Sequence, residues 1–366
     1  MVLSIINCEL GGMVPGENES AKPYIVVGTA YAYPDEDEPA RGRILIFECR
    51  ESDDVDMGTV SISKPIRQVV DEHTSGGVYS LCCFKGNTLC ATINSRLKLY
   101  VLEEQDDISQ LKSIASHHGH ILSLFVKASG ENIIVGDLMR SISVYSYSSN
   151  GIEEIARDYN ASWTTSCEIV SPNIYLGAEN WNNIFSLRRN ADATSEETRC
   201  RLETQGGYYL GEMVNKFIPG NLVMPPPVSD VDDRVIVTGS STLYATVDGS
   251  IGVIMGLDKS SYLFFKCLEK SMAKVLPIIG GVSHEEFRSF EAEKRTRVSL
   301  NFVDGDLIEQ FLDMNKSEME QVANLMNSDG TWQIPDKTLV VAEDDDIATI
   351  TVEEIQQRVE EISRLH

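Results

Sequence analysis

The stretch IIVGDLMRSISVYSY, residues 133–147, contains an apolar run, a Gly-Asp turn and a second run in which apolar and polar side chains alternate. Two such runs separated by a short polar turn are typical of a β-hairpin. The turn also carries Leu138, Met139 and Arg140, although turns usually carry small polar residues. The stretch therefore predicts a hairpin whose turn presents unusually large side chains.

The same pattern recurs in four other places. Three copies begin at residues 89, 174 and 243, and read LCATINSRLKLYVL, IYLGAENWNNIFSL and LYATVDGSIGVIMGL. The fourth, IVVGTAYAYPDEDEPARGRILIF from residue 25, has an acidic loop between its two runs. The small residue that ends each first run recurs after about 40 to 45 residues where the hairpins are closest, which is the length of a four-stranded propeller blade.

Between the hairpins lie alternating runs that fit the innermost strand of each blade, namely VYSLCCF, HILSLFV and TSCEIV. The pattern thus predicts a mainly β chain, a β-propeller with about five blades. Five blades fit either a complete small ring or part of a larger ring whose other blades lie outside this sequence.

After about residue 260 the apolar residues recur every three or four positions, which is the period of an amphipathic helix. The segment VEEIQQRVEEISRLH is preceded by Thr351, and Glu354 follows three residues later, so a capping box is expected there. Residues 304–306 are expected to cap a helix in DLIEQFLDM. We therefore predict a propeller domain over residues 1–260 and a small helical domain over residues 261–366.

The composition limits the function. The 366 residues include 56 acidic and 31 basic side chains, a net charge of −25, which disfavours direct binding to nucleic-acid phosphates or anionic membranes. No apolar run is long enough for a membrane helix, and the N-terminus lacks the basic flank of a signal peptide. A nuclear or cytosolic protein without a membrane partner is expected. The eight cysteines lie mostly in apolar runs without a CxxC pair, so free buried thiols are expected.

Sequence motifs of catalysis are missing. The sequence has no phosphate-binding loop, no G-x-S-x-G elbow and no H-E-x-x-H motif, so an enzyme is not predicted. His117, His118 and His120 are the densest set of possible metal ligands, but no Cys, Asp or Glu accompanies them in the same short segment. A polar loop leading into a strand is favoured over a metal site, and no cofactor or metal is expected. The acidic loop, residues 33–39, is interpreted either as a solvated hairpin tip or as a site for a cation or basic partner.

Trp163 allows two interpretations. Lying just before a predicted strand, it either fills the interface between two blades or is an exposed aromatic anchor, and interface anchors favour Trp and Arg.

Several motifs together resemble one family: GDLMRS, EEIARDYNASW, LGAEN, FRSF, NFVDGDLIEQFLD and the final EEISRLH. The sequence resembles the C-terminal part of the large subunit of the damaged-DNA-binding complex, the adaptor of cullin-4 ubiquitin ligases. The large polyadenylation-specificity factor subunit and the splicing-factor 3b propeller subunit are related to it. The resemblance implies three seven-bladed propellers in the full-length protein, of which this chain would carry most of the third, with the helical domain.

The implied function is that of a non-catalytic scaffold in DNA repair and protein turnover, located in nucleus and cytoplasm. Substrate-receptor proteins would insert a helical segment into a groove, cullin-4 would dock on regions outside this chain, and DNA would be reached only through a receptor. The alternative is a propeller subunit of a polyadenylation or splicing complex.

The resemblance places the receptor-binding pocket in the first inserted hairpin, in the run ILSLF, in the turn GDLMR and at two later positions. Phe125 stands where the family usually has Tyr, so one hydroxyl hydrogen bond would be lost, and Asp37 replaces a small residue, which would make the rim more acidic. The implied pocket positions are Ala30, Pro34, Glu36, Leu122, Leu124, Phe125, Leu138, Met139, Arg140, Arg157 and Trp163.

Overall fold

The computed structural model of the protein describes residues 1–11, 21–49, 66–105, 108–223, 241–278, 280–290, 296–332 and 349–364. These residues form five successive antiparallel sheets followed by helices near the C-terminus. The predicted fold class, mainly β with five propeller blades and C-terminal helices, is confirmed.

The first three sheets each contain four strands, paired in chain order. Sheet 1 contains β1 (Val2–Leu10), β2 (Lys22–Ala30), β3 (Gly42–Cys49) and β4 (Ile66–Thr74). Sheet 2 contains β5 (Val78–Phe84), β6 (Thr88–Ile93), β7 (Arg96–Gln105) and β8 (Ile108–His118). Sheet 3 contains β9 (Ser123–Ser129), β10 (Asn132–Asp137), β11 (Ile142–Ser148) and β12 (Gly151–Arg157).

The last two sheets continue this order. Sheet 4 contains β13 (Thr164–Ser171), β14 (Ile174–Glu179), β15 (Asn183–Arg189) and, after the short helix α1 (Glu196–Arg199), β16 (Leu202–Tyr209). Sheet 5 has three strands in the part of the chain that the structure describes, β17 (Val214–Pro219), β18 (Thr242–Thr246) and β19 (Ile251–Ile254).

The first strands of neighbouring sheets contact one another, β1 with β5, β5 with β9 and β9 with β13. VYSLCCF forms β5, TSCEIV lies in β13, and β9 begins at Ser123 within HILSLFV, so these runs supply the first strands of sheets 2, 3 and 4 as predicted, although residues 120–122 precede the strand. In β2 the side chains alternate between buried and partly exposed, as expected for a strand with a different environment on each face.

The small residue has a packing reason in two of the repeats. A Cβ added to Gly28 in β2 would lie 2.8 Å from a methyl carbon of Val78 in the first strand of sheet 2. A Cβ on Gly136 in β10 would lie 2.9 Å from a methyl carbon of Thr164 in the first strand of sheet 4. Both distances are too short for carbon atoms in contact, which meet at about 3.5 to 4.0 Å. Glycine therefore lets the second strand of one sheet approach the first strand of the next.

Apolar side chains fill the space between neighbouring sheets. Val26 and Ile46 of sheet 1 pack in one cluster with Leu89 of sheet 2, and none of the three exposes measurable surface. A second cluster joins sheets 2 and 3 through Leu99 and Ile133. Burying one such side chain contributes about 1.5 to 3 kcal/mol, so each of these two interfaces stabilises the fold by several buried side chains.

The helices follow sheet 5 in the order α2 (Lys259–Val275), α3 (His284–Phe287), α4 (Gly305–Glu309), a 3-10 turn (Gln310–Asp313), α5 (Lys316–Asp329) and α6 (Val352–Ser363). The predicted caps are confirmed: Asp304 caps α4, and Thr351 and Glu354 form a capping box on α6. The segment DLIEQFLDM, expected to be one helix, instead changes from α to 3-10 geometry at Gln310. None of the helices in the described ranges is long and apolar enough to cross a membrane.

Helices α2, α4, α5 and α6 and the 3-10 turn share one apolar core. Phe264 of α2, Phe311 of the 3-10 turn, Val322 of α5 and Val359 of α6 belong to it, and each is at most 1% exposed. The apolar positions spaced by three and four residues in the sequence therefore face one another, as an amphipathic helix requires.

The chain divides into two compact units, one of Met1–Asn180 with Ser186–Thr204 and one of Trp181–Phe185 with Gln205–His366. Strands give way to helices between β19 and α2. The domain boundary expected at residue 260 stays a prediction.

The expectation that all cysteines are free thiols is wrong for one pair. Cys8 of β1 and Cys83 of β5 form a disulfide, with their Cα atoms 5.7 Å apart. The two residues lie on neighbouring innermost strands, which brings them together although they are 75 positions apart in sequence. Cys49, Cys82, Cys90, Cys167, Cys200 and Cys267 are free.

Candidate partner-binding site

The turn of residues 138–141 lies at one end of sheet 3, between β10 and β11. In an antiparallel sheet whose strands follow chain order, this turn shares its end with the connections that enter and leave the sheet. Those connections are residues 119–122 and 158–163. We call these three segments the loop face.

Backbone hydrogen bonds join the turn to the connection on either side. The N–H of Leu138 donates to the carbonyl of Leu122 at 2.9 Å, and the N–H of Ser141 donates to the carbonyl of Ser162 at 3.2 Å. The three segments of the loop face are therefore one connected backbone surface, because each is bonded to the next.

Asp137, at the end of β10, fixes two of these segments. Its carboxylate is 3% exposed and accepts hydrogen bonds from Ile121 N at 2.9 Å and Leu122 N at 3.0 Å through Oδ2. Through Oδ1 it accepts from Met139 N and Arg140 N, both at 3.0 Å. A buried carboxylate is tolerated where hydrogen bonds replace its water shell, and here backbone donors do so. The side chains of Leu122, Met139 and Arg140 consequently project from a fixed backbone.

Asp158 plays a similar role at the other side of the turn. Ser141 adopts a left-handed backbone conformation, φ 58°, and its buried hydroxyl donates to Asp158 Oδ2 at 2.7 Å. The backbone N–H and side-chain amide of Asn160 donate to Asp158 Oδ1 at 3.0 and 2.8 Å. Burial raises the pKa of Asp158 above its ordinary value, although the hydrogen bonds from Asn160 and Ser141 oppose this shift. These bonds tie the turn to the connection that leads to Trp163.

Large apolar side chains are exposed on the loop face. Trp163 is 50% exposed and Met139 is 57% exposed, while Leu138 is half-buried. The carbonyl of Trp163 accepts from Asn180 N at 3.2 Å, which holds its backbone. A side chain exposed to this extent does not fill the interface between two blades. Of the two interpretations of Trp163, the structure agrees with the exposed aromatic.

A cavity of about 340 Å³ opens between the three segments. It brings together the two predicted arginines, Arg140 from the turn and Arg157 from the end of β12. Its lining is completed by Gly119, His120, Ile121, Asp158, Tyr159 and Asn160.

Arg157 is held from several sides. Its guanidinium lies over the ring of Tyr159, with 4.5 Å from Cζ to the ring centroid, and its Nε lies 3.7 Å from Glu154 Oε1. A hydrogen bond from the guanidinium to Tyr159 raises the pKa of Arg157 above its ordinary value. Stacking on an aromatic face and a nearby carboxylate both keep the guanidinium charged and oriented.

The three positions expected in the acidic hairpin have different environments. Ala30 ends β2 and is 1% exposed, whereas Pro34 and Glu36 are exposed in the loop between β2 and β3. Asn94 anchors this loop: its side-chain amide donates to the carbonyl of Pro39 at 3.0 Å. No hydrogen bond or ion pair between described residues joins Glu36 to Arg140 or Arg157.

Leu124 and Phe125 lie on β9, the innermost strand of sheet 3, and both are half-buried. Phe125 pairs with Gly136 across the sheet, directly before Asp137. Leu122, Leu138, Met139 and Arg140 are thus brought together by Asp137, and Leu124 and Phe125 extend from them along the strand. Whether all the expected positions serve one partner stays a prediction.

Sequence reasoning missed four residues as members of this site, His120, Asp137, Asp158 and Tyr159. Asp137 ends a strand and Asp158 directly follows one, where an acidic side chain is well placed to accept from loop N–H groups. That position was the available signal. The sequence suggests His120 only as a metal ligand, and nothing in its pattern marks Tyr159.

The three histidines do not converge. His117 and His118 are successive residues of β8, so their side chains point to opposite faces of the sheet. The segment that was expected to be a polar loop therefore belongs to strand β8 as far as His118. His117 Nδ1 lies 3.1 Å from the carbonyl of Ile152, while His120 Nε2 lies 3.1 Å from Ser143 Oγ and 3.0 Å from Glu154 Oε2.

Comparison with known proteins gives consistent results. Residues 1–313 match the family model described as the CPSF A subunit region. DNA damage-binding protein 1a of Arabidopsis thaliana is 41% identical over 366 residues, and DNA damage-binding protein 1 of Solanum lycopersicum is 40% identical over 367 residues. Each alignment covers 99% of this chain and 29% of the relative.

The chain therefore spans 29% of the length of these curated relatives. The relatives are named as binding proteins, and the resemblance to the damaged-DNA-binding large subunit is confirmed. Since the family model covers more than half of the sequence, the chain belongs to the CPSF A subunit family and is similar over almost its whole length to DNA damage-binding protein 1.

Proposed function

We propose that the chain is a non-catalytic, partner-binding part of a cullin-4 ubiquitin ligase adaptor. Its loop face binds substrate-receptor proteins, which lay an amphipathic helix across Trp163 and Met139. The observation that carries this proposal is the exposure of both side chains on a backbone that Asp137 and Asp158 hold in place.

Three physical points support partner binding at this face. Exposed aromatic side chains and arginines are the residue types that dominate binding energy at protein interfaces. A helix in a groove needs apolar contacts spaced along one face, and the half-buried Leu138 lies next to Met139 in the turn. A fixed backbone also lowers the entropy lost on binding.

The rest of the function follows from the resemblance to the relatives. Cullin-4 docks on regions outside this chain, and the adaptor works in both nucleus and cytoplasm. DNA is reached through a receptor, because a net charge of −25 disfavours direct contact with phosphates.

The test is affinity capture with the purified chain in nuclear extract, read by quantitative mass spectrometry. We expect capture of propeller-containing receptors of cullin-4 ligases, with a loss of about tenfold or more for Trp163→Ala, since a hot spot contributes about 2 kcal/mol or more. Ile108→Ala is the matched control, because Ile108 is 71% exposed on the outermost strand of sheet 2. Equal capture of these receptors by Trp163→Ala and the parent would refute the proposal.

The same experiment distinguishes the alternative class. An RNA-processing subunit would capture polyadenylation or splicing proteins instead of ligase receptors. Direct titration with duplex DNA and single-stranded RNA completes the comparison. We expect weak binding that disappears with added salt, and submicromolar affinity at physiological salt would contradict the charge argument.

A further inference from the structure

Cationic side chains line the cavity on the loop face, although the loop face around it exposes apolar side chains. Arg140 and Arg157 line it from opposite segments, together with the imidazole of His120 and the hydroxyl-bearing ring of Tyr159. A further cation, Arg201, lies near the same ring, with 6.0 Å from Cζ to the centroid of Tyr159.

The carboxylates close to these cations are already engaged. Asp158 accepts from the hydroxyl of Ser141 and from both N–H groups of Asn160, and it is 5% exposed. Glu154 is 3.0 Å from His120 Nε2 and 3.4 Å from the hydroxyl of Tyr145. Asp158 and Glu154 therefore do not occupy all the hydrogen-bond donors of the guanidinium groups that line the cavity.

The arginines retain unused hydrogen-bond donors. The Nε of Arg157 is buried without a hydrogen-bond partner, 3.7 Å from Glu154, so only the terminal nitrogens of this 38% exposed side chain are within reach of a ligand. The side chain of Arg140 is exposed, and no described residue accepts a hydrogen bond from its guanidinium. Each guanidinium carries five N–H donors in a planar fork that matches a carboxylate.

The charge balance favours a singly charged ligand. Among the Arg and Asp side chains of the lining, two arginines against Asp158 leave one net positive charge. A dianion such as a phosphate monoester would exceed this charge and would also be repelled by a chain of net charge −25. The cavity volume of about 340 Å³ accommodates the end of one side chain.

We infer that this cavity binds the carboxylate of an Asp or Glu side chain presented by the partner protein, with Arg140 and Arg157 as its ligands. This inference rests on the proposed function and adds the chemistry of one anchor to it. The acidic anchor enters beside the apolar contacts on Trp163 and Met139 and fixes the register of the bound helix.

The test uses the full chain labelled with ¹⁵N at arginine and titrated by NMR. The probe is N-acetyl-glutamate methylamide, and its uncharged control is N-acetyl-glutamine methylamide. We expect the glutamate compound to shift the Nε resonances of Arg140 and Arg157 saturably in the millimolar range, and the glutamine compound to leave them unchanged. Arg140→Gln should weaken binding about tenfold, as for loss of one charge-assisted hydrogen bond.

Arg188→Gln is the matched control, because Arg188 is exposed on β15 and does not line the cavity. It should bind the glutamate compound as the parent does. Equal shifts with both compounds, equal weakening by Arg188→Gln, or tighter binding of phenyl phosphate than of the glutamate compound would each overturn the inference.

The two proposals fail separately. If Trp163→Ala abolishes receptor capture while the glutamate compound does not bind, the partner-binding function stands and the acidic anchor is wrong. If the glutamate compound binds at Arg140 while receptor capture is insensitive to Trp163→Ala, the carboxylate site stands and the receptor assignment fails.

Discussion

The carboxylate of Asp137 accepts a hydrogen bond from the backbone N–H of Leu122, fifteen residues earlier in the chain, at 3.0 Å. The same carboxylate accepts from the turn that follows it. One buried side chain thus sets the distance between two segments that expose the residues of the proposed site.

Replacing Asp137 by Ala should therefore destabilise the chain as well as loosen the loop face. The change leaves four partly buried N–H groups without their acceptor, and the free energy of unfolding should fall by about 1 to 3 kcal/mol. Urea unfolding monitored by fluorescence measures this. Asp137→Asn keeps one oxygen acceptor and should lose less. An Ala variant as stable as the parent would show that water replaces the carboxylate.

Truncating Trp163 should, by contrast, leave the stability of the chain nearly unchanged. Because half of its surface is exposed, Trp163→Ala should change the free energy of unfolding by less than about 1 kcal/mol. The measurement is the urea midpoint at unchanged m-value. A loss of about 3 to 5 kcal/mol, as for a buried aromatic, would return Trp163 to the core and remove it from the binding face.

Phe311 is the corresponding buried aromatic of the helices. It is 0% exposed in the core shared by α2, α5 and α6, so Phe311→Ala should cost about 3 to 5 kcal/mol. Phe311→Leu, which keeps most of the apolar volume, should cost less. Differential scanning calorimetry of both variants checks this, and equal melting temperatures for Phe311→Ala and the parent would contradict the helical core.

Asp304 gives the helical part a pH dependence. Burial raises its pKa, but hydrogen bonds from His284 Nε2 at 2.8 Å and Arg288 Nε at 2.7 Å, with the charge of Arg288, lower the pKa from 3.8 to about 2. Because the folded-state pKa lies below the unfolded value, the stabilisation is complete above about pH 4 and is lost as the pH falls through 2.

Asp304→Asn isolates the contribution of the carboxylate charge. Asn can still cap the helix that starts at Gly305, so the cap is kept. The variant should be less stable than the parent at pH 7, and the difference should shrink between about pH 4 and pH 2. Urea titrations at several pH values measure it. A difference that stays constant with pH would mean that the carboxylate charge does not contribute.

Much of the fold could be predicted because apolar and polar side chains alternate along the repeats. This alternation indicates strands with one buried and one more exposed face. The small residue at the end of the first run, as at Gly136, marked the repeat spacing, and only the structure shows that it allows the close approach of neighbouring blades. The helical segment after Asp304 was predicted as one helix, since a spacing of three and four residues does not distinguish α from 3-10 geometry.

The site was predictable in part. Arg140, Arg157 and Trp163 came from a resemblance, and the structure supplies their exposure and the cavity between the two arginines. Asp137 and Asp158 were missed because their position at a strand end was their only signal. Their partners, loop N–H groups for Asp137 and Ser141 and Asn160 for Asp158, could not be read from the sequence. Their role depends on strand register, which sets which loop lies beside which carboxylate.

The disulfide between Cys8 and Cys83 encloses the whole chain from β1 to β5 in a covalent loop. A single proteolytic cut anywhere within that loop leaves both pieces attached to each other. On a denaturing gel the nicked protein should migrate as one band without reductant and as two bands with dithiothreitol, whereas Cys8→Ser should give two bands in both lanes. Sheet 1 is thus fastened to the first strand of sheet 2 by a bond that survives unfolding, and a single backbone cut between Cys8 and Cys83 does not release the first blade.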